Sequence, residues 1–442
     1  MLGKWMKQSI GARLLIIGFL IIVFFIPAAM IQSLIRERQE RRDGAINEVS
    51  AKWGQEQTLT GPILSVPYNY HFKNEKGEIV TTVMYAHFLP ENLHISGKIF
   101  PEVRNRGIYE VVLYHADLHF EGIFRYPNLS DLKVPQKDII WQDTFISVGI
   151  TDMKGIKDLV TFNINDTQLL ANSGIETNDV LESGISRIID ILQSNQNIVF
   201  SFDLKLNGSS GLLFTPIGKE TSVEMSSEWS NPSFIGEFLP ESREIDNDGF
   251  NAKWKIFHLN RNYPQKWLGD KYKIQSSSFG VSLLLPVDEY QKNMRTAKYS
   301  FMFIGLTFLS FFMIELLNRK IIHPIQYLLI GFSLLVFYTL LLSFSEHMLF
   351  KYAYFLASIA TVSLISTYTK SVLKSNLHTS IILGILVLLY GYLYIVLQLQ
   401  DFALLMGGIG LFVILAVVMY LTRKIDWFSG VNPEENIEKK AT

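Results

Sequence analysis

Residues 14–35 read LLIIGFLIIVFFIPAAMIQSLI and contain no charged side chain. A helix rises ~1.5 Å per residue, so this run is long enough to cross a bilayer hydrocarbon core of ~30 Å. Lys4, Lys7 and Arg13 precede it, as in a signal peptide, but the apolar run is too long and lacks a clean cleavage site. We therefore predict an uncleaved anchor helix over residues 13–35, behind a short N-terminal segment, residues 1–12.

Five more apolar segments are crowded into the last third of the chain. They predict a bundle of transmembrane helices over residues 298–318, 324–345, 351–369, 378–400 and 402–422. The long intervening region, residues 36–297, is mostly polar. The predicted fold class is a membrane α-helical protein, one N-terminal plus five C-terminal transmembrane helices, with a large β-rich extracytoplasmic domain.

The basic residues between the apolar segments predict the orientation, because cytoplasmic loops are enriched in Lys and Arg. One side of the membrane would carry Lys4, Lys7, Arg13, Arg319, Lys320, Lys370, Lys374, Arg423 and Lys424. We therefore expect both termini, including the tail 423–442, in the cytoplasm, and residues 36–297 in the periplasm of a bacterial inner membrane. Arg36, Arg38, Arg41 and Arg42 oppose this orientation, but long domains translocate largely regardless of charge.

The large domain reads as β-rich, because short runs of β-branched and aromatic residues recur between Gly, Pro and Asn turns. The predicted strands are residues 63–70, 79–88, 107–124, 138–150, 197–206 and 279–285. Apolar residues at helical spacing predict one helix at residues 178–193.

A repeated tetrapeptide suggests a duplication within this domain. The tetrapeptide Phe-Leu-Pro-Glu at residues 88–91 recurs at residues 238–241, and each copy begins 27 residues after a glycine, Gly61 or Gly211. A shared offset between two motifs is typical of repeats. It predicts two related β-sandwich-like subdomains, residues 51–195 and 196–290, with chance similarity in a strand-rich sequence as the alternative.

Motifs of known catalytic chemistry are missing from the sequence. It contains no H-E-x-x-H, no G-x-S-x-G and no cysteine. His115, Asp117 and His119 share one face of a predicted strand, which suits either a metal site or, as we expect, a solvated sheet face. We predict no catalytic residue, no metal and no cofactor, and no nucleic-acid partner because long basic blocks are absent.

Ionisable residues at membrane depth are costly and therefore candidate functional positions. Glu315 lies one turn before Arg319, so an i,i+4 ion pair at the interface competes with a functional role. Glu346 and His347 follow the second helix of the bundle, where a loop contact with the outer domain competes with a proton relay. Asp401 lies at the same predicted depth, beside Gln398 and Gln400.

Several blocks along the chain resemble the bacterial inner-membrane protein CreD family. They are LTGP at 59–62, HFLPE at 87–91, NPSF at 231–234, HPIQYLLIG at 323–331, LSFSEH at 342–347 and LTRKIDW at 421–427. The resemblance implies an inner-membrane location and a role in cell-envelope integrity, linked to a two-component system that responds to stress. It implies no reaction and no catalytic residue.

Two classes of function remain from the sequence. The first is a membrane protein, not an enzyme, that supports envelope integrity or the stress response and whose periplasmic β-domain binds a periplasmic protein or another envelope component. The alternative is a transporter or lipid-handling protein that uses the five-helix bundle, although broken helices are not evident. A membrane hydrolase is disfavoured by the missing motifs. The bilayer is the one partner the sequence predicts directly, and it gives no indication of the oligomeric state.

Overall fold

The chain divides into two compact units in a computed structural model that describes residues 10–191, 196–283, 289–318, 322–399 and 402–423. Residues Met1–Arg42 and Val287–Thr442 form one unit, which we call the helical unit. Residues Asp43–Pro286 form the other, which we call the β unit.

Over its described residues, each predicted apolar segment largely coincides with a helix. The helices are α1 Ile10–Trp53, α2 Glu289–Lys298, α3 Ser300–Asn318, α4 Pro324–Ser345, α5 Phe350–Leu373, α6 Asn376–Gln398 and α7 Ala403–Thr422. Among the described residues, α1, α4, α5 and α6 are each long and apolar enough to cross a membrane, and α2 with α3, bent by 43°, qualifies as a fifth span. The apolar part of α7, Leu405–Tyr420, is shorter. The predicted class is therefore confirmed, with four or five qualifying spans instead of six.

Helix α1 continues well beyond the predicted anchor and ends at Trp53. Its second half, residues 36–53, contains four Arg and three Glu, which favour helices but interrupt an apolar run. Ion pairs at i,i+4 spacing support it, with Arg41 2.6 Å from Glu37 and Lys52 2.8 Å from Glu48. A search for apolar residues detects only the first half of such a helix.

Aromatic packing attaches the first half of α1 to the rest of the helical unit. The ring of Phe24 lies edge-on to Phe308 of α3 at 5.9 Å and to Phe332 of α4 at 5.3 Å between centroids. Gly331 of α4 leaves room for this ring, because a Cβ at that position would lie 2.3 Å from it. Without a hydrophobic driving force between helices in lipid, such small residues are what permit close packing.

The β unit consists of two large sheets. Its strands are β1 Gln57–Lys73, β2 Ile79–Phe88, β3 Asn92–Arg106, β4 Tyr109–Phe124, β5 Phe145–Ile150, β6 Thr161–Ile164, β7 Thr167–Leu170, β8 Asn172–Ser173, β9 Gly184–Ile188, β10 Ile198–Ser209, β11 Gly211–Phe214, β12 Glu220–Ser227, β13 Pro232–Gly236, β14 Ser242–Asp246, β15 Gly249–Phe257, β16 Lys266–Leu268 and β17 Phe279–Leu283.

In sheet A the strand order is β13-β17-β11-β1-β5-β9-β8, with β2 paired to β1 and β16 paired to β2. Sheet B has the order β14-β15-β12-β3-β4-β10-β6-β7. The sheets share one apolar core, in which Trp254 of sheet B packs 5.6 Å from both Phe234 and Phe279 of sheet A.

The two halves of the predicted repeat are interleaved and do not form separate subdomains. Each sheet contains strands from both halves. The halves meet through two parallel pairs, β1 with β11 and β3 with β12, and through the antiparallel pairs β4–β10, β6–β10 and β2–β16. The motif at residues 88–91 and its copy at 238–241 both lead from a strand of sheet A into an antiparallel pair of sheet B. The strands that precede the two copies are arranged differently. Before the first copy, β1 pairs directly with β2, whereas before the second copy β12 lies between β11 and β13 along the chain.

Each predicted strand overlaps an observed one, although the segment 138–150 is a strand only over Phe145–Ile150 and residues 284–285 lie outside the described residues. The helix predicted at residues 178–193 is wrong. The described part of that segment contains strand β9, which pairs with β5. Gly184 begins the strand, and a Cβ there would lie 2.1 Å from the carbonyl oxygen of Val148. The close approach of β5 therefore overrides the helical spacing of the apolar residues.

Candidate functional site

The carboxylate of Glu346 lies at the centre of a group of polar side chains within the helical unit. Glu346 follows α4 directly and its side chain is 10% exposed. The Tyr290 hydroxyl of α2 donates to Glu346 Oε1 at 3.1 Å, and Arg38 Nε of α1 lies 3.8 Å from the same oxygen. Three helices that are distant in sequence thus meet at one carboxylate.

A second pair of side chains extends this group. Asn293 of α2 is buried, and its Nδ2 donates to Ser345 Oγ of α4 at 2.6 Å. Its Oδ1 is buried and accepts no hydrogen bond from the described residues. We call Arg38, Tyr290, Asn293, Ser345 and Glu346 the Glu346 cluster.

Cations and aromatic rings surround the Glu346 cluster. The guanidinium of Arg42 lies 5.2 Å above the Tyr290 ring, and Lys292 Nζ lies 5.5 Å from the centre of the Phe350 ring. The Phe350 amide donates to Glu289 Oε1 at 3.4 Å. Arg38, Arg41 and Arg42, which opposed the predicted orientation, therefore have partners within the helical unit.

Helix α2 brings these residues together and was missed in the sequence. Its buried residues Tyr290, Asn293, Thr296 and Ala297 recur at helical spacing, but most of them are polar. A hydropathy search does not detect such a face. The acidic Glu289 in the first turn and the basic Arg295 and Lys298 in the last turn, which suit a helix dipole, were the available signal.

Glu315 forms a separate group, which we call the Glu315 cluster. Arg13 Nη1 of α1 lies 3.0 Å from Glu315 Oε1, and the Tyr327 hydroxyl of α4 donates to Oε2 at 3.0 Å. The Glu315 side chain is buried. The expected partner Arg319 lies outside the described residues. Among the described residues, the ion pair of Glu315 joins two helices.

Of the remaining predicted positions, His347 joins neither cluster, because its side chain is exposed, and Asp401 lies outside the described residues. The stretch of α4 between Tyr327 and Glu346 covers ~28 Å of helix. Its buried face is almost wholly apolar, through Ile330, Leu334, Phe337 and Leu341 among others. The two carboxylates therefore sit near opposite ends of an apolar face of α4.

The His115, Asp117 and His119 side chains are half-buried or exposed on β4, and both histidines have other partners. His119 Nδ1 lies 2.7 Å from Asp203 Oδ1 of β10, and the His115 ring stacks on Phe100 of β3 at 4.6 Å. Within the described residues these side chains do not gather into a metal-binding group.

A buried chain of polar groups in the β unit was also missed. His87 of β2 joins Ser65 of β1, at 2.9 Å through Nδ1, to Asp179, at 3.2 Å through Nε2. The hydrogen bond from His87 holds the pKa of the Asp179 carboxyl below its usual value. Ser65 and His87 are each 1% exposed, so a substrate has no access to the hydroxyl. The chain instead ties the hairpin of β1 and β2 to the segment before β9, and no local spacing rule links its three positions.

These features define a class, a multi-pass membrane protein that carries one large β-rich unit. The chain matches the family model described as inner membrane protein CreD over residues 9–428. It is 32% identical over 431 residues to the inner membrane protein CreD of Escherichia coli strain K12, covering 96% of this chain and 94% of that protein. The chain therefore belongs to the CreD family of inner-membrane proteins.

Proposed function

We propose that this chain supports the integrity of the bacterial cell envelope without catalysing a reaction, and that its β unit lies in the periplasm and binds a protein partner there. The observation that carries the proposal is the hairpin of β1 and β2. β1 pairs with β5 only as far as Ser65, and β2 pairs with β16 only over Ala86–Phe88. Beyond these pairs, Tyr68 of β1 bridges Ile139, and His71 Nε2 lies 3.2 Å from Asp138 Oδ1. Over residues 69–73 and 79–83 the described residues add no third strand to the hairpin.

Apolar side chains are exposed on this extension. Tyr70 and Phe72 stack at 6.1 Å, and the cross-strand register places Val80 opposite Phe72 on the same face. These three side chains are 47%, 41% and 36% exposed. Covering them would remove apolar surface from water at roughly 25 cal/mol per Å². An exposed apolar patch on a projecting element is typical of an interaction site.

The free edge of β2 favours a protein strand as the occupant. Over Ile79–Met84, the described residues provide β2 with a partner strand on the β1 side alone. A long edge of this kind can accept a strand from another chain. The tip carries Lys73 and Lys76 against Glu75 and Glu78, so it lacks the net positive charge that attracts an anionic bilayer surface.

Crosslinking in living bacteria tests this proposal. A photoreactive amino acid at Thr82, which is exposed beside Tyr70 on the patch, should capture a defined protein. Combining Phe72→Lys with Val80→Lys should abolish that product and raise detergent sensitivity to the level of a deletion strain, with a normal amount of protein in the membrane. Two buried cations would oppose the apolar contact.

Leu259 supplies the matched control, because it is 83% exposed and lies outside the hairpin. Leu259→Lys should leave both the crosslink and the detergent sensitivity unchanged. A double lysine variant that keeps its crosslink, or behaves like wild type in detergent, would contradict the proposal.

A further inference from the structure

A groove of about 630 Å³ runs between α5 and α6 in the helical unit. Its walls include Tyr352, Phe355 and Ile359 of α5 and Val387, Tyr390 and Tyr394 of α6. The volume falls within the range of sites for small ligands, ~300–1,000 Å³. Because both helices qualify as membrane spans, the ligands that reach the groove are those dissolved in the bilayer.

The length of the groove corresponds to one leaflet. Along α5 it extends from Lys351 to Ser363. Twelve helical steps of ~1.5 Å give about 18 Å, against ~15 Å for half of the hydrocarbon core. A single acyl chain lying along the helices therefore fits its length.

The walls are apolar where the chain would lie. The Tyr354 hydroxyl, which could make the groove polar, donates to the Tyr390 carbonyl oxygen of the facing helix at 2.7 Å. Gly391 contributes no side chain to the groove, and a Cβ added there would meet nothing within 4 Å. The space is therefore open at the glycine and otherwise lined mainly by apolar side chains, with Ser358 and Ser363 as small polar exceptions.

One end of the groove carries a positive charge. Lys351 is exposed in the first turn of α5, and its Nζ lies 4.7 Å from the centre of the Tyr352 ring. Tyr352 and Tyr394 line the groove near this end, and tyrosines are enriched at the depth of lipid headgroups. A cation at that depth suits the phosphate of an anionic lipid.

We propose that the α5–α6 groove binds an anionic phospholipid, with one acyl chain between the helices and the headgroup phosphate at Lys351. This site is independent of the partner surface on the β unit. The groove selects a chain by its length and apolar walls, and Lys351 selects the headgroup by its charge.

Native mass spectrometry of the full-length protein released from nanodiscs tests the site. The nanodiscs contain equal parts of phosphatidylglycerol and phosphatidylcholine. Gly391→Leu and, as a second variant, Val387→Phe fill the groove, so each should retain one lipid fewer than wild type. Lys351→Gln should keep the number but lower the ratio of retained phosphatidylglycerol to phosphatidylcholine roughly fivefold, as expected for one lysine near the surface.

Matched controls come from the same two helices. Gly384 of α6 also has open space around it but does not line the groove, and Lys374 caps the opposite end of α5. Gly384→Leu and Lys374→Gln should both behave like wild type. Groove-filling variants that fold normally and retain the wild-type number of lipids would overturn the proposal, as would a Lys351→Gln variant with an unchanged lipid ratio.

Discussion

At the scale of single residues, the two carboxylates Glu315 and Glu346 of the helical unit are each paired with a cation from another helix. Glu346 and Glu315 were both candidates from sequence because carboxylates are costly at membrane depth. Their cations, Arg38 and Arg13, come from α1, more than 300 positions away in the chain. Sequence could indicate which carboxylates matter, but their partners depend on how α1 packs, which no local pattern encodes.

Asp179 leads to a prediction about pH. The lowered pKa of its carboxyl means that the folded state favours the ionised form, so its contribution to stability is complete above the ordinary Asp pKa of ~3.9. The contribution disappears as the pH falls through the folded-state pKa. At pH 7, Asp179→Asn should therefore lower the hydrogen-exchange protection of β2 by about fivefold, the equivalent of ~1 kcal/mol for one hydrogen bond.

The difference between Asp179→Asn and wild type should shrink as the buffer is acidified below pH 4. Asp203→Asn is the matched control, because Asp203 also bonds a histidine but is exposed. It should change the protection of β2 little at any pH. If Asp179→Asn lowered the hydrogen-exchange protection of β2 no more than Asp203→Asn, the hydrogen bonds through His87 would add no stability.

At the scale of secondary-structure elements, the contact between α1 and α4 depends on Gly331. Gly331→Ala places a methyl group 2.3 Å from the ring of Phe24, so a helix must shift. We expect a loss of about 1–3 kcal/mol, typical of overpacking, measured as a lower thermal unfolding temperature of the full chain in detergent.

A double-mutant cycle with Phe24→Ala distinguishes packing from a general effect of the substitution. If the ring is the cause, Gly331→Ala should cost little in the Phe24→Ala background. Gly305→Ala of α3 is the control, since nothing lies within 4 Å of that position. If the losses of stability from Gly331→Ala and Phe24→Ala simply added in the double mutant, the contact with the Phe24 ring would not be the cause of the destabilisation.

The elements also show where sequence reasoning is strong. Uncharged runs such as residues 324–345 predict helices directly, because lipid requires every backbone group to be satisfied within the segment. The second half of α1 and all of α2 were missed, because their sequences are polar. Residues 178–193 were misassigned, because pairing with β5 decides the structure of β9. The Glu346 cluster could not be assembled from sequence without α2 and the packing of α1, and the Glu315 cluster could not be assembled without the packing of α1.

At the scale of the whole molecule, the orientation proposed for the chain can be tested by labelling. The sequence contains no cysteine, so a single introduced thiol reports without background. Ser242 of β14 and Ser371 of α5 are both exposed. The cells are treated so that the outer membrane is permeable and the inner membrane stays intact. Ser242→Cys should then react with a membrane-impermeant maleimide. Ser371→Cys should react only after the inner membrane is disrupted. The reverse pattern would place the β unit in the cytoplasm.

The parallel pairing of β1 with β11 and of β3 with β12 has a consequence for how the protein is made. Synthesis delivers β1 and β3 long before β11, β12 and β17, so neither sheet can close until nearly all of the β unit has emerged. Such non-local pairing slows folding and leaves strand edges open in the meantime. If the unit is exported as proposed, its first half crosses the membrane and remains incompletely folded until the later strands arrive. A nascent chain of this protein is therefore most susceptible to proteolysis and aggregation between the arrival of β1 and that of β17.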